Sequence, residues 1–189
     1  MKAHAQGDEI PKLVLIDGNS LLYRAFFALP PLTNAEGLAT GAAYGFTTML
    51  RKLLEDEKPE HIAVVFDPPG KTFRHEEFSG YKANRPPMDK DLALQLPYIR
   101  RVCQALRMPV VEVPGFEADD VIATLARQSL ERGIEVVVVS ADKDLLQLVD
   151  EHVRVLNPGR EGSGSTSFDR KAVEEKWGVP PERIVDVLA

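Results

Sequence analysis

Residues 12–26 read KLVLIDGNSLLYRAF, and the order of residue types in that stretch sets the architecture. Leu13, Val14, Leu15 and Ile16 form an apolar run without alternation, as a strand buried on both faces requires. Asp17 ends the run, and Gly18-Asn19-Ser20 leads into Leu21, Leu22, Ala25 and Phe26, which share one face of a helix. The same grammar repeats along the chain. Apolar runs at 62–66, 110–113 and 136–139 read as further parallel strands, with a weaker one at 153–156. Helical patterns separate them at 41–57, at 91–106 and around Ala118, Val121, Ile122 and Leu125, and short helices come after them at 169–177 and 181–189. Strands alternating with helices predict a three-layer α/β domain, a mostly parallel central sheet with helices on both faces.

Two segments break this rhythm. Residues 67–90, DPPGKTFRHEEFSGYKANRPPMDK, are long for one connection, and connections of that length inside a domain tend to be functional. Residues 157–167, NPGREGSGSTS, read as a mobile surface loop. Residues 1–11 read as a disordered lead-in without the apolar core of a signal peptide, and no apolar run is long enough to span a membrane. At 189 residues the chain fits one domain with a sizeable core. Cys103 has no cysteine to pair with and sits at apolar spacing, which predicts a core thiol in a reducing, cytoplasmic setting.

The decisive pattern lies at the strand ends. Asp17 comes directly after the first strand, Asp67 after the second, Glu117-Ala118-Asp119-Asp120 after the third, and Asp142-Lys143-Asp144 after the fourth. In a parallel sheet all four points lie at the carboxyl edge, where open α/β folds form their sites. Taken singly, Asp17, Asp119, Asp120 and Asp142 have an ordinary reading as helix caps. Four strand ends that all finish in acids favour one shared crevice. Two carboxylates about 5 Å apart repel by about 3 kcal/mol at an effective dielectric near 20, so such a cluster needs protons, distance or cations to persist. Oxygen donors without accompanying His or Cys favour Mg²⁺ or Mn²⁺ over zinc. This many carboxylates suffice for two ions, the arrangement that clamps the attacking and leaving oxygens in phosphoryl displacement.

A net charge of −6 argues against a nucleic-acid partner, but the charge is uneven. Residues 71–107 hold eight Lys/Arg against four Asp/Glu, a local +4 in an otherwise acidic chain. Lys82 and Arg85 lie in the long loop after the second acidic strand end, with Tyr81 beside them and Arg74 and His75 upstream. Arched over the crevice, they would offset charge growing on phosphoryl oxygens; solvation is their ordinary reading, and His75 reads as a surface residue. Tyr23 is placed to stack on an exposed base. The chain has no G-x-G-x-x-G, no G-x-x-x-x-G-K-[ST] and no G-x-S-x-G, so dinucleotide, nucleoside triphosphate and serine-hydrolase chemistry lack their usual cradles.

The stretches LIDGNSLLYRAFFALP, GLATGAAYGF, VVFDPPGKTFRHEEFSGYKANR, GFEADDVIATLA and VVSADKDLLQLV recur in the order and spacing of a known family. The chain resembles the 5′ nuclease domain of bacterial DNA polymerase I and the flap endonucleases, with a PIN-like (resolvase-like) fold. The resemblance covers about residues 12–156 and continues through WGVPPERIVDVLA. It implies a structure-selective 5′–3′ exonuclease or flap endonuclease acting in DNA replication and repair. Asp17, Asp67, Glu117 and Asp119 would be ligands of a first metal with Asp120 close by, and Asp142 and Asp144 ligands of a second. Lys82 and Arg85 would be catalytic arch residues, and Tyr23, Arg24, Arg74 and Tyr81 would bind substrate. The partner implied is DNA with 5′ ends or flaps, met by a cytoplasmic monomer. In that family a segment like VDVLA leads into Gly-Asp-x-x-Asp-Asn and then a helix-hairpin-helix-like motif. The expectation is therefore a nuclease domain over 12–189, truncated before that region, with a weak second metal and reduced cleavage. Two other readings stay open: a non-catalytic nucleic-acid-binding fragment, and a ribonuclease of the PIN group.

Overall fold

The computed structural model describes residues 10–159 and 164–188. Six strands form one sheet in the order β3-β2-β1-β4-β5-β6. They are β1 (Lys12–Asp17), β2 (His61–Val65), β3 (Val110–Val111), β4 (Glu135–Val139), β5 (Val153–Asn157) and β6 (Thr166–Phe168). The first five are parallel and β6 is antiparallel to β5. The helices are α1 (Gly18–Ala28), α2 (Gly41–Glu57), α3 (Phe73–Glu77), α4 (Lys90–Ala105), α5 (Ala118–Leu130), α6 (Arg170–Trp177) and α7 (Ile184–Leu188). Short 3₁₀ turns occupy Asp144–Leu148 and Pro181–Arg183.

The continuous apolar runs are explained by burial on both sides. Val14, Ile16, Val64, Val137 and Val139 enter one core with α1, α2 and α4. Their alternates Leu15, Ala63, Val65, Val136 and Val138 enter a second core with residues of α5, α6 and α7. Burying such side chains contributes about 1.5–3 kcal/mol each, so both faces of the sheet have to be covered. Cys103 lies in the first core and is fully buried.

β1 sits at the centre, flanked by β2 on one side and β4 on the other. The chain leaves β1 first toward β2 and β3 and later builds outward through β4 and β5, which makes the carboxyl end of β1 a topological switch point. Close approach there depends on Gly18. A Cβ at that position would meet the Phe66 ring at 2.6–2.7 Å.

Several expectations change. The 67–90 loop contains the one-turn helix α3, started by Thr72 and His75 bonding across its first turn. β3 has two residues where the apolar run had four, because Val113-Pro114-Gly115 turns away from the sheet. Part of the 157–167 loop is structured: Asn157 ends β5 and Thr166–Phe168 is the edge strand β6, while 160–163 lie outside the described residues. Of the 1–11 lead-in, 1–9 lie outside as well. Pro11 is already engaged, its carbonyl accepting from the Glu135 amide at 3.0 Å.

Candidate metal and phosphate site

Six of the seven acids singled out in the sequence line one crevice of about 1750 Å³ at the carboxyl ends of β1, β2 and β4: Asp17, Asp67, Glu117, Asp119, Asp142 and Asp144. Each reaches it for a local reason. Asp17 is 5% exposed and caps α1, with Oδ1 accepting from the Ser20 amide at 2.9 Å. Its Oδ2 accepts from the Ser140 hydroxyl at 2.7 Å, across the gap between β1 and β4. Asp67, just beyond β2, accepts from the Asn19 side-chain amide at 2.6 Å and from the Ala118 amide at 2.7 Å. One carboxylate thus ties three chain segments together. Asp142 accepts from the Asp144 amide at 3.0 Å and donates its own amide to Ser140 Oγ at 3.0 Å.

The electrostatics reflect this crowding. Burial pushes the Asp119 carboxyl up to about 7, and the charges of Asp17, Asp142 and Asp67 push in the same direction. Burial also raises Asp17, against the hydrogen bonds from Ser20 and Ser140, and Asp67 and Asp142 add to the rise. Asp119 and Asp17 therefore feel the charges of the acids around them. Among the described residues, however, no three His, Cys, Asp or Glu side chains are arranged to hold an ion as they stand. The donor set itself suits a hard divalent cation: it is all oxygen, and its mutual repulsion is what a cation relieves.

Asp120, the seventh acid, does not line the crevice. It turns away from the crevice and forms a bidentate pair with Arg74 at 2.6 and 2.7 Å, while its Oδ2 also accepts from the Glu117 amide at 3.1 Å. The Arg74 bonds hold the Asp120 carboxyl below the usual range despite partial burial. Arg74, assigned to substrate, is occupied by the same pair and lies 3.5 Å from Glu117. A guanidinium fork matched to a carboxylate spends its donors there.

The arch meets the crevice at Glu117. Lys82 Nζ donates to Glu117 Oε1 at 2.7 Å and Tyr81 donates to Oε2 at 3.0 Å. Burial works to raise Glu117, but Lys82, Tyr81 and Arg74 outweigh it and hold the carboxyl below its usual range. Burial likewise works to lower Lys82, and its bond to Glu117 raises it on balance. Arg85 lines the crevice and is exposed. Tyr23 lines it too and is 37% exposed, with the Phe27 ring stacked at 6.3 Å. Arg24 also lines the crevice, and its Nε donates to the Gly159 carbonyl at 3.4 Å. His75 is half-buried and meets the Tyr81 ring edge-on at 5.3 Å, which corrects its reading as a surface residue. Sequence reasoning passed over Asn19, Ser20 and Ser140. Their signal was adjacency, since all three stand within three residues of an acid at a strand end.

A family model described as the 5′–3′ exonuclease, N-terminal resolvase-like domain, matches residues 12–178. The chain belongs to this family. DNA polymerase I of Bacillus caldotenax is 47% identical over 176 residues, 93% of this chain and 20% of that protein. The 5′–3′ exonuclease of Aquifex aeolicus is 45% identical over 177 residues, 94% of this chain and 60% of that protein. The chain therefore spans about a fifth of that DNA polymerase I and 60% of that exonuclease. The bacteriophage T5 D15 flap endonuclease, solved as a pseudo-enzyme–product complex with DNA and metal ions, superposes with a TM-score of 0.67 at 19% identity, over 92% of this chain and 64% of that one. At that identity the likeness concerns the fold, a resolvase-like α/β sheet with its crevice at the carboxyl edge.

Proposed function

We propose that this chain is the divalent-metal-dependent catalytic domain of a structure-selective 5′ nuclease, hydrolysing DNA phosphodiesters at 5′ ends or flaps to leave a 5′-phosphate and a 3′-hydroxyl. The observation that carries the reading is six carboxylates on one crevice with Lys82 and Arg85 on the arch beside them. Family membership and the DNA and metal ions bound by the T5 protein support it.

Asp17, Asp67, Glu117 and Asp119 would hold one Mg²⁺ or Mn²⁺, and Asp142 and Asp144 a second. Such ions supply a nucleophilic water near neutral pH and stabilise the leaving oxygen. The remaining work belongs to the chain. Asn19 and the Ala118 amide orient Asp67, and Ser20 and Ser140 orient Asp17. Lys82 and Arg85 neutralise charge developing on the phosphoryl oxygens. Tyr23 offers its ring to an unpaired base. Phosphate contacts of this kind position a strand without reading its sequence, so selection is by shape. Asp120 and Arg74 serve the arch through each other and have no direct contact with metal or DNA in this reading. The chain would act as a cytoplasmic monomer.

The test offers a 5′-flap DNA, a single-stranded RNA and a blunt DNA duplex, each with Mg²⁺ and with EDTA. Flap cleavage lost in EDTA and in Asp67→Ala is expected. Binding without cutting in any condition points to a non-catalytic module, and preferential RNA cleavage to a ribonuclease.

A further inference from the structure

Lys143 stands between Asp142 and Asp144 in sequence, yet it pairs with neither. Its ammonium lies over the face of Trp177 at 5.3 Å from the ring centroid. Trp177 ends α6 and packs in the second core with Leu145 and Leu146 of the adjoining 3₁₀ turn and Ile184 of α7. Its Nε1 is buried and has no hydrogen-bond partner among the described residues. The indole is therefore held by packing and by the Lys143 ammonium, with no hydrogen bond fixing it.

The alternative fate of a lysine here is on view nearby. Lys82, which lines the same crevice as Lys143, is bonded to Glu117 at 2.7 Å. A lysine flanked by two carboxylates is a ready counterion for either, and a bound ammonium competes with a divalent cation for the same oxygens. An ammonium over an indole face is comparable in strength to an exposed ion pair, so the ring competes with the carboxylates for it, and in this structure the ammonium lies on the ring.

We propose that Trp177 is a positioning residue that holds the Lys143 ammonium on its ring face, leaving the Asp142 and Asp144 carboxylates free of an internal cation and open to a divalent one. This rests on the reading of those acids as metal ligands, and it assigns the helical unit after β6 a part in the site. The wall behind the Asp142–Asp144 turn then sets how tightly that pair binds an ion.

The test titrates Mn²⁺ into the full chain and tracks the electron paramagnetic resonance of the free ion. Trp177→Leu stays apolar but removes the π face, at the cost of some empty volume, and is expected to weaken Mn²⁺ binding about three- to tenfold, by freeing Lys143 to pair with a neighbour. Trp177→Phe keeps a face and is expected to stay within about twofold of wild type. Adding Lys143→Gln to Trp177→Leu should restore the affinity, since no ammonium remains to compete. A double variant as weak as Trp177→Leu alone would make Trp177 merely structural and overturn the proposal, as would an unchanged Trp177→Leu. Should Trp177→Leu lose its far-ultraviolet circular dichroism, Trp177→Met, an unbranched apolar side chain without a π face, takes its place with and without Lys143→Gln, and unchanged binding or a loss not relieved by the second change overturns the proposal. No Mn²⁺ bound by wild type would overturn the metal reading itself, and this inference with it.

Discussion

Ser140 Oγ donates to Asp17 Oδ2 at 2.7 Å and accepts from the Asp142 amide at 3.0 Å, so one buried hydroxyl joins the acid that ends β1 to the acid just beyond β4. Ser20 crosses the same gap in the other direction, its hydroxyl accepting from the Ala141 amide at 2.8 Å. The two strand ends are thereby held in register where no backbone ladder reaches.

Ser140→Ala removes a donor from a buried carboxylate, and about 1–3 kcal/mol of stability should go with it. Equilibrium urea unfolding in EDTA measures this. A loss below about 0.5 kcal/mol, the range of surface substitutions, would mean that Asp17 finds another donor.

Asn19→Ala leaves Asp67 with the Ala118 amide as its remaining partner. Groups that orient a metal ligand usually matter about 10–100-fold in affinity, so Mn²⁺ binding should weaken while the melting temperature changes little. Equal affinity in the variant would separate Asp67 from the ion.

Arg74 and Asp120 should couple. Their pair is bidentate and only partly exposed, at 32% and 24% of the side chains, and a double-mutant cycle with Arg74→Met and Asp120→Asn is expected to give about 1 kcal/mol. A coupling near zero would return both residues to the solvent or to substrate.

The pH dependence has a definite sign. Burial, with Asp17, Asp142 and Asp67 nearby, raises Asp119 from 3.8 to about 7. A carboxyl that holds its proton more tightly folded than unfolded stabilises the fold below its unfolded pKa, and that stabilisation is lost as pH rises through the folded value. Asp17 is raised as well and acts in the same direction. Glu117 and Asp120 are lowered, so their contribution is present above their unfolded values and is lost at more acidic pH. Unfolding in EDTA should therefore show stability falling between pH about 4 and about 7, a slope reduced by Asp119→Asn. The same slope in the variant would contradict the shift. Ion binding near pH 6 should also release protons, and at pH 8 it should release few.

Much of this is legible in the order of residues alone. Continuous runs such as Leu13 to Ile16 announce a doubly covered strand, and acids immediately after such runs announce a crevice, because strand ends are fixed by topology. Side-chain direction is less legible. Asp119 and Asp120 are neighbours on one helical turn, and the direction of Asp120 is set by the Glu117 amide and by Arg74, whose place on the arch is a tertiary feature. β6 was hidden because three residues beside a Gly/Ser-rich stretch carry no periodicity, and their pairing with β5 is tertiary. The Lys143–Trp177 contact joins residues far apart in the chain and has no local signature.

If these acids act together on a divalent cation, a Mn²⁺ titration at pH 8 will show it. Saturable binding of at least one ion per chain, weakened by Asp67→Ala and by Asp119→Asn alike, is the predicted result. A free-ion signal that rises as it does in buffer, or binding indifferent to both replacements, would contradict it.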